Sequence, residues 1–234
     1  MIMQRILFSL LVLCSISCIP KGESIVYESI KAHRFGEYLS GDSIKYHKTT
    51  QVYDSMGVVK KVLEQDHLFF PSSLYYQISS RDSSGLKLQV KDGQGYYQVQ
   101  NGIYLKDSIS VSRAKSSIET ALFVFWQPIK LDDPKARFSY LGKEILPNEK
   151  EVHAVELSYP ESKSTDEWVF YFDTSTLLNL GYRVRHNGKL SLIINEAFHQ
   201  EDENPILVHK RSSYLVLDTM LRLQADYVYE LIPD

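Results

Sequence analysis

Period-two alternation punctuated by glycine turns constrains this chain more than any other feature. In the stretch 219–231, Leu221, Leu223, Ala225, Tyr227, Tyr229 and Leu231 fall on one face, and Arg222, Gln224, Asp226 and Glu230 on the other. Alternation sustained over that length specifies a half-buried antiparallel strand. Asp92-Gly93, Asn101-Gly102 and Asn187-Gly188 supply the positive φ that tight hairpins need. Between such turns, strands are expected over 44–53, 58–70, 75–80, 86–91, 96–100, 152–159, 167–172, 180–186, 190–198, 206–214 and 219–231. The predicted fold class is mainly β (α+β): one large curved antiparallel sheet of about ten or eleven strands. No strand–helix–strand rhythm and no fixed-period repeat occurs, which excludes a parallel α/β fold and a propeller or solenoid.

Composition narrows the function classes. Sixteen Tyr, 10 Phe and 2 Trp suit strands. A 44% hydrophobic, 24% charged chain is not globally disordered, and a net charge of −3 gives no basic field for nucleic acid.

The N-terminus reads as an address. Arg5 precedes an apolar run of about a dozen residues from Ile6 toward Cys18, too short to cross a bilayer as a helix. Ser15 and Ser17 place a cleavage site before Cys18, so 1–17 is expected to be a signal peptide. Cys18 is the candidate lipidation site, where a bacterial lipoprotein would carry its acyl groups. The lipoprotein pattern prefers Leu where Ser15 stands, so plain secretion stays open. Cys14 and Cys18 are the chain's two cysteines, so the mature chain has no intrachain disulfide. The expected organisation is signal peptide 1–17, lipidated N-terminus and linker 18–23, and a single domain 24–234.

Two helices interrupt the strands. The first is expected over Ser24–Leu39, with Ile25, Val26, Ile30 and Phe35 as its apolar face and Gly41 closing it. The second is expected over Ser112–Trp126, with Ser116 and Glu119 at capping-box spacing. Ala114, Ile118, Ala121, Leu122 and Phe125 share one side of it; Phe123, Val124 and Trp126 cover much of the other. A helix apolar nearly all round must be buried or must cover something apolar. It is the natural filler for the concave face of a curved sheet.

The run Asp166-Glu167-Trp168-Val169-Phe170-Tyr171-Phe172-Asp173-Thr174-Ser175-Thr176-Leu177-Leu178 carries a resemblance, continued by Gly181–His186 and Ile194-Asn195-Glu196-Ala197-Phe198. Ala32-His33, Phe123–Pro128 and Ser139–Glu144 agree in order. This ordered set resembles a family of secreted proteins of Gram-negative bacteria whose fold is similar to the lipoprotein carriers of the Lol system. The resemblance implies an incomplete β-barrel with helices covering the concave face, and a cavity that takes acyl chains or lipids. It implies no catalytic residues. A soluble carrier has no lipid anchor, so Cys18 favours a tethered receptor or lipid-handling protein over a free shuttle.

Few motifs carry other chemistry. His33, His47, His67, His153, His186, His199 and His209 form no metal-binding pair, and no metal or other cofactor is expected. G-x-S-x-G, G-x-G-x-x-G and a P-loop are absent. Asp132-Asp133 and Glu201–Glu203 read as solvated loops. Arg183 and Arg185 read as an outer face, with a headgroup contact as the alternative. The expected function is a non-enzymatic envelope lipoprotein, at the outer membrane rather than the inner. Its membrane contact is the N-terminal anchor, and its cargo a lipid, acyl chain or lipoprotein. The candidate cavity wall is Ile118, Leu122, Phe123, Phe125, Trp126, Trp168, Phe170, Phe172 and Tyr227. The alternative is a half-barrel plugged by its own side chains, serving as a structural or interaction module. A hydrolase ranks third.

Overall fold

The computed structural model describes residues 21–35, 43–93, 95–161, 165–199, 206–218 and 220–233. The expected signal segment 1–17, Cys18, the expected helix closure at Gly41 and the acidic run Glu201–Asn204 lie outside the described residues. Helix α1 spans Lys21–Ala32. Strands β1 to β6 follow at Ile44–Tyr53, Val59–Phe70, Tyr75–Ser80, Leu86–Lys91, Gly95–Gln100 and Ile103–Leu105. Helix α2 spans Ser108–Phe125. Strands β7 to β13 are Arg137–Ile145, Glu151–Ser158, Glu167–Asp173, Asn179–His186, Lys189–His199, Leu207–Leu217 and Met220–Leu231.

All thirteen strands form one open antiparallel sheet in the order β6-β5-β4-β3-β2-β1-β13-β12-β11-β10-β9-β8-β7. Two meanders, β1–β6 and β7–β13, meet where β1 pairs with β13, Tyr46 opposite Leu231 and Val52 opposite Ala225. The two strands beyond the expected eleven are the sheet's edges. β6 is three residues long, and β7 alternates only between exposed and half-buried positions, so neither carries a buried apolar row.

Helix α2 links these edges and dictates the curvature. It packs on β3, β4 and β5, yet Phe123 meets Trp168 of β9 edge-to-face at 5.5 Å. In a flat sheet β4 and β9 would lie eight strand spacings apart, about 38 Å. A helix roughly 10 Å wide touches both because the sheet wraps around it. The sheet does not close into a barrel.

The helix bounds differ from expectation at their ends. α2 starts at Ser108 because Asp107 caps it, its carboxylate accepting the Ser110 N–H at 2.9 Å. Glu119, read as part of a capping box, instead accepts the Tyr96 hydroxyl at 3.1 Å. α1 ends at Ala32, and Arg34 takes a left-handed φ of 57°. Phe35 therefore leaves the α1 face and stacks on His33 at 5.5 Å and tilts against Trp126 at 5.5 Å.

Three apolar clusters follow. One unites the C-terminal half of α2 with β1–β4 and β13, through Ile118, Phe125, Trp126, Tyr46, Tyr76 and Tyr229. A second sets Ile25 and Val26 of α1 against Val155, Phe170, Phe172 and Ile193. The third, with Val152, Ala154, Val169, Tyr171 and Ile194, lies on the other face of those strands. Two glycines permit close approach. A Cβ on Gly22 would sit 2.7 Å from the Phe138 carbonyl oxygen, so α1 lies directly on β7. Gly181, at φ 138° beside a bulge between β10 and β9, would put a Cβ 2.0 Å from the Ile193 carbonyl oxygen.

Candidate functional site

Between α2 and the concave sheet lies a cavity of about 570 Å3. Ser116, Ser117, Thr120, Ala121 and Val124 form its helical wall. Tyr46, Lys48, Ile78 and Leu88 face it from β1, β3 and β4, and Tyr182, Ile193, Arg211 and Tyr227 from β10–β13.

Of the nine residues expected to line a cavity, Tyr227 stands on this wall. The others lie outside its lining and serve packing. Ile118 and Trp126 are fully buried; Phe125 stacks on Tyr46 at 4.2 Å. Trp126 packs against Phe69 at 5.3 Å. Leu122 joins the same cluster. Phe123, Trp168, Phe170 and Phe172 belong to the second cluster, with Trp168 and Phe170 stacked at 6.1 Å. The physical reason is volume. Large aromatic side chains fill the space before them, so open space survives where the helix carries Ser, Thr, Ala and Val.

The concave face carries two cations that composition did not reveal. Arg211 lies opposite Tyr227 on β13, and Lys48 opposite Tyr229, so they flank the same strand from its two sides. The Lys48 ammonium rests over the rings of Tyr227 and Tyr229, 5.1 and 5.8 Å from their centroids. Burial, then the positive charge of Arg211, lowers its pKa to about 8. None of the described residues lining the cavity is acidic. Arg183 and Arg185 instead pair with Glu144 at 3.5 Å and Glu167 at 3.0 Å, away from the cavity lining.

A buried polar chain holds Arg211. Its Nε–H donates to Asn195 Oδ1 at 2.7 Å. Asn195 Nδ2 donates to the Asn179 carbonyl at 2.8 Å and to Asn179 Oδ1 at 3.1 Å. The Asn179 N–H donates to His33 Nε2 at 3.0 Å, and His33 Nδ1–H donates to the Ile206 carbonyl at 2.7 Å. These bonds fix the neutral tautomer of His33. Burial lowers the pKa of His33 to about 4, against the raising effect of the Ile206 bond. His33 and Asn195, which both lie in the stretches that carry the resemblance, share one hydrogen-bonded run.

A second polar group sits on β1–β3. Tyr46 and Tyr76 share a 2.6 Å hydrogen bond, and the His67 Nδ1 lies 2.7 Å from the Tyr76 hydroxyl. A hydroxyl donating to Nδ1 leaves the proton on Nε2, which has no partner among the described residues. Burial lowers the pKa of His67 to about 3, with Lys48 adding to the effect.

Among the described residues no group of three or more His, Cys, Asp or Glu is placed to hold a metal ion. No described helix is long and apolar enough to cross a membrane.

No protein-family model matches the sequence, and no curated protein matches it. Solved structures do match. A LolA superfamily protein from Nitrosomonas europaea aligns at TM-score 0.54 and 11% identity, over 91% of each chain. A DUF1329 family protein from Desulfovibrio piger aligns at TM-score 0.54 and 11% identity, over 91% of this chain and 92% of that one. A putative outer membrane lipoprotein-sorting protein domain from Vibrio parahaemolyticus aligns at TM-score 0.52 and 10% identity, over 88% and 92%. At these identities the likeness is one of fold, and the fold is LolA-like.

Proposed function

We infer that this protein is a non-enzymatic binder of an acyl chain, lipid or lipoprotein in the cell envelope, tethered through an acylated Cys18. The observation that carries this reading is the cavity of about 570 Å3 between α2 and the concave sheet. That volume is in the range of small-molecule sites. Its apolar wall, Ile78, Leu88, Ala121, Val124 and Ile193, suits a hydrocarbon chain. Each buried CH2 contributes about 0.8 kcal/mol before ordering costs. The LolA-like fold supports the same reading.

Native mass spectrometry of the protein purified from its own membranes tests both parts. Acyl mass on Cys18 with a co-purifying lipid is the expected result. An unmodified N-terminus removes the tether. Thr120→Trp tests the cavity: it places a large ring on the helical wall at an exposed position. Lipid retention should fall while the fold persists. Unchanged retention in a folded variant would locate the ligand elsewhere.

A further inference from the structure

The charges lining the cavity are one-sided. Arg211 is 2% exposed; its Nη1 and Nη2 make no hydrogen bond of good geometry among the described residues, and the neutral phenol of Tyr229 is the group beside them. Its Nε is already engaged by Asn195, which turns the two terminal nitrogens away from that bond. Lys48 sits across β13 from it, and His67 Nε2 is a further nitrogen without a partner among the described residues. The other titratable groups on the lining are the phenols of Tyr46, Tyr182, Tyr227 and Tyr229, and no carboxylate faces the cations. A buried guanidinium without a counter-charge is costly, and removing that cost requires an anion or several acceptors. Arg presents a planar fork matched to two oxygens, and Lys a point charge that complements it. The Asn195–Asn179–His33 run sets the fork in place before any ligand arrives.

We propose that Lys48 and Arg211 seat the anionic head of an amphiphile, a carboxylate or a phosphate ester, whose chain lies along Ile78, Leu88, Ala121 and Val124. The proposal rests on the lipid-binding reading and narrows it: the preferred ligand carries a negative head inside the concavity. A neutral lipid leaves both cations unmatched.

Equilibrium dialysis of the delipidated protein against four probes tests this: dodecanoate, dodecyl phosphate, dodecanol and inorganic phosphate. An anionic amphiphile should bind about ten- to a hundredfold more tightly than dodecanol, the worth of a charge-assisted pair. Lys48→Met should reduce that preference about tenfold. Arg211→Gln should do the same, and Lys48→Met keeps the test valid if Arg211→Gln does not fold. Dodecanol binding as tightly as dodecanoate and dodecyl phosphate overturns the head seat and leaves the lipid-binding reading standing. Absence of all three amphiphiles overturns both. Inorganic phosphate binding as tightly as dodecyl phosphate overturns the amphiphile in favour of a small free anion.

Discussion

Replacing Lys48 by Met should stabilise the empty protein. The ammonium is held on the concave wall beside a second cation, and its pKa falls from the ordinary 10.5 to about 8. At about 1.4 kcal/mol per pH unit between those values, the charge costs the ligand-free fold up to about 3 kcal/mol at pH 7. The sign follows from linkage. Below pH 8 Lys48 is charged in both folded and unfolded chains, so the full cost is present. Between pH 8 and 10.5 the folded protein sheds its proton first, and the cost fades. Above 10.5 both states are neutral and the cost is gone. Urea unfolding of delipidated wild type and Lys48→Met at pH 7 and pH 10.5 measures this. The variant should gain up to about 3 kcal/mol at pH 7 and most of that gain should vanish at pH 10.5. A gain independent of pH would refute the electrostatic reasoning, because packing changes carry no such titration. A loss at pH 7 would show that the contact of the Lys48 ammonium with the rings of Tyr227 and Tyr229 outweighs the cost of burying it. A gain that costs affinity for anionic ligands is the usual exchange between stability and a binding site.

His33 should confer acid sensitivity. Its pKa falls from 6.5 to about 4 on folding, so stability is complete above pH 6.5 and is lost as pH falls toward 4. In His33→Gln the slope of stability against pH between these limits should be shallower by up to about 1.4 kcal/mol per unit; an identical slope in thermal melts would remove His33 from the account. Gly181→Ala should destabilise by more than about 3 kcal/mol, since the new Cβ meets the Ile193 carbonyl oxygen in a left-handed backbone. A urea midpoint within error of wild type would mean that β10 and β11 can separate locally without loss.

Much of the architecture was legible because strands and hairpins are local. The Asn187-Gly188 turn joins β10 to β11 as expected, with Asn187 at φ 49°. The alternation of 219–231 places Tyr227 and Tyr229 on the concave face. The aromatic helix lies in the sheet's hollow, as expected, and leaves a cavity beside it. Its cavity wall was not legible, because small side chains that leave space carry no apolar signal. Arg211 was equally silent. The β12 stretch 207–214 mixes polar residues on both faces, so alternation alone gave no reason to turn it inward.

The antiparallel meanders, the places of the two helices and the confinement of cysteine to Cys14 and Cys18 can be read from the chain alone. Which face is concave, and what meets there, follows from long-range pairing. A period of two assigns residues to faces but not faces to solvent or core. Lys48 and Arg211 stand more than 160 positions apart and become neighbours of one strand only because β1 closes against β13. That pairing is long-range, fixed by the burial of Tyr46, Tyr229 and Phe125 together. No local pattern encodes it, and the polar chain from His33 to Arg211 exists only once it has formed.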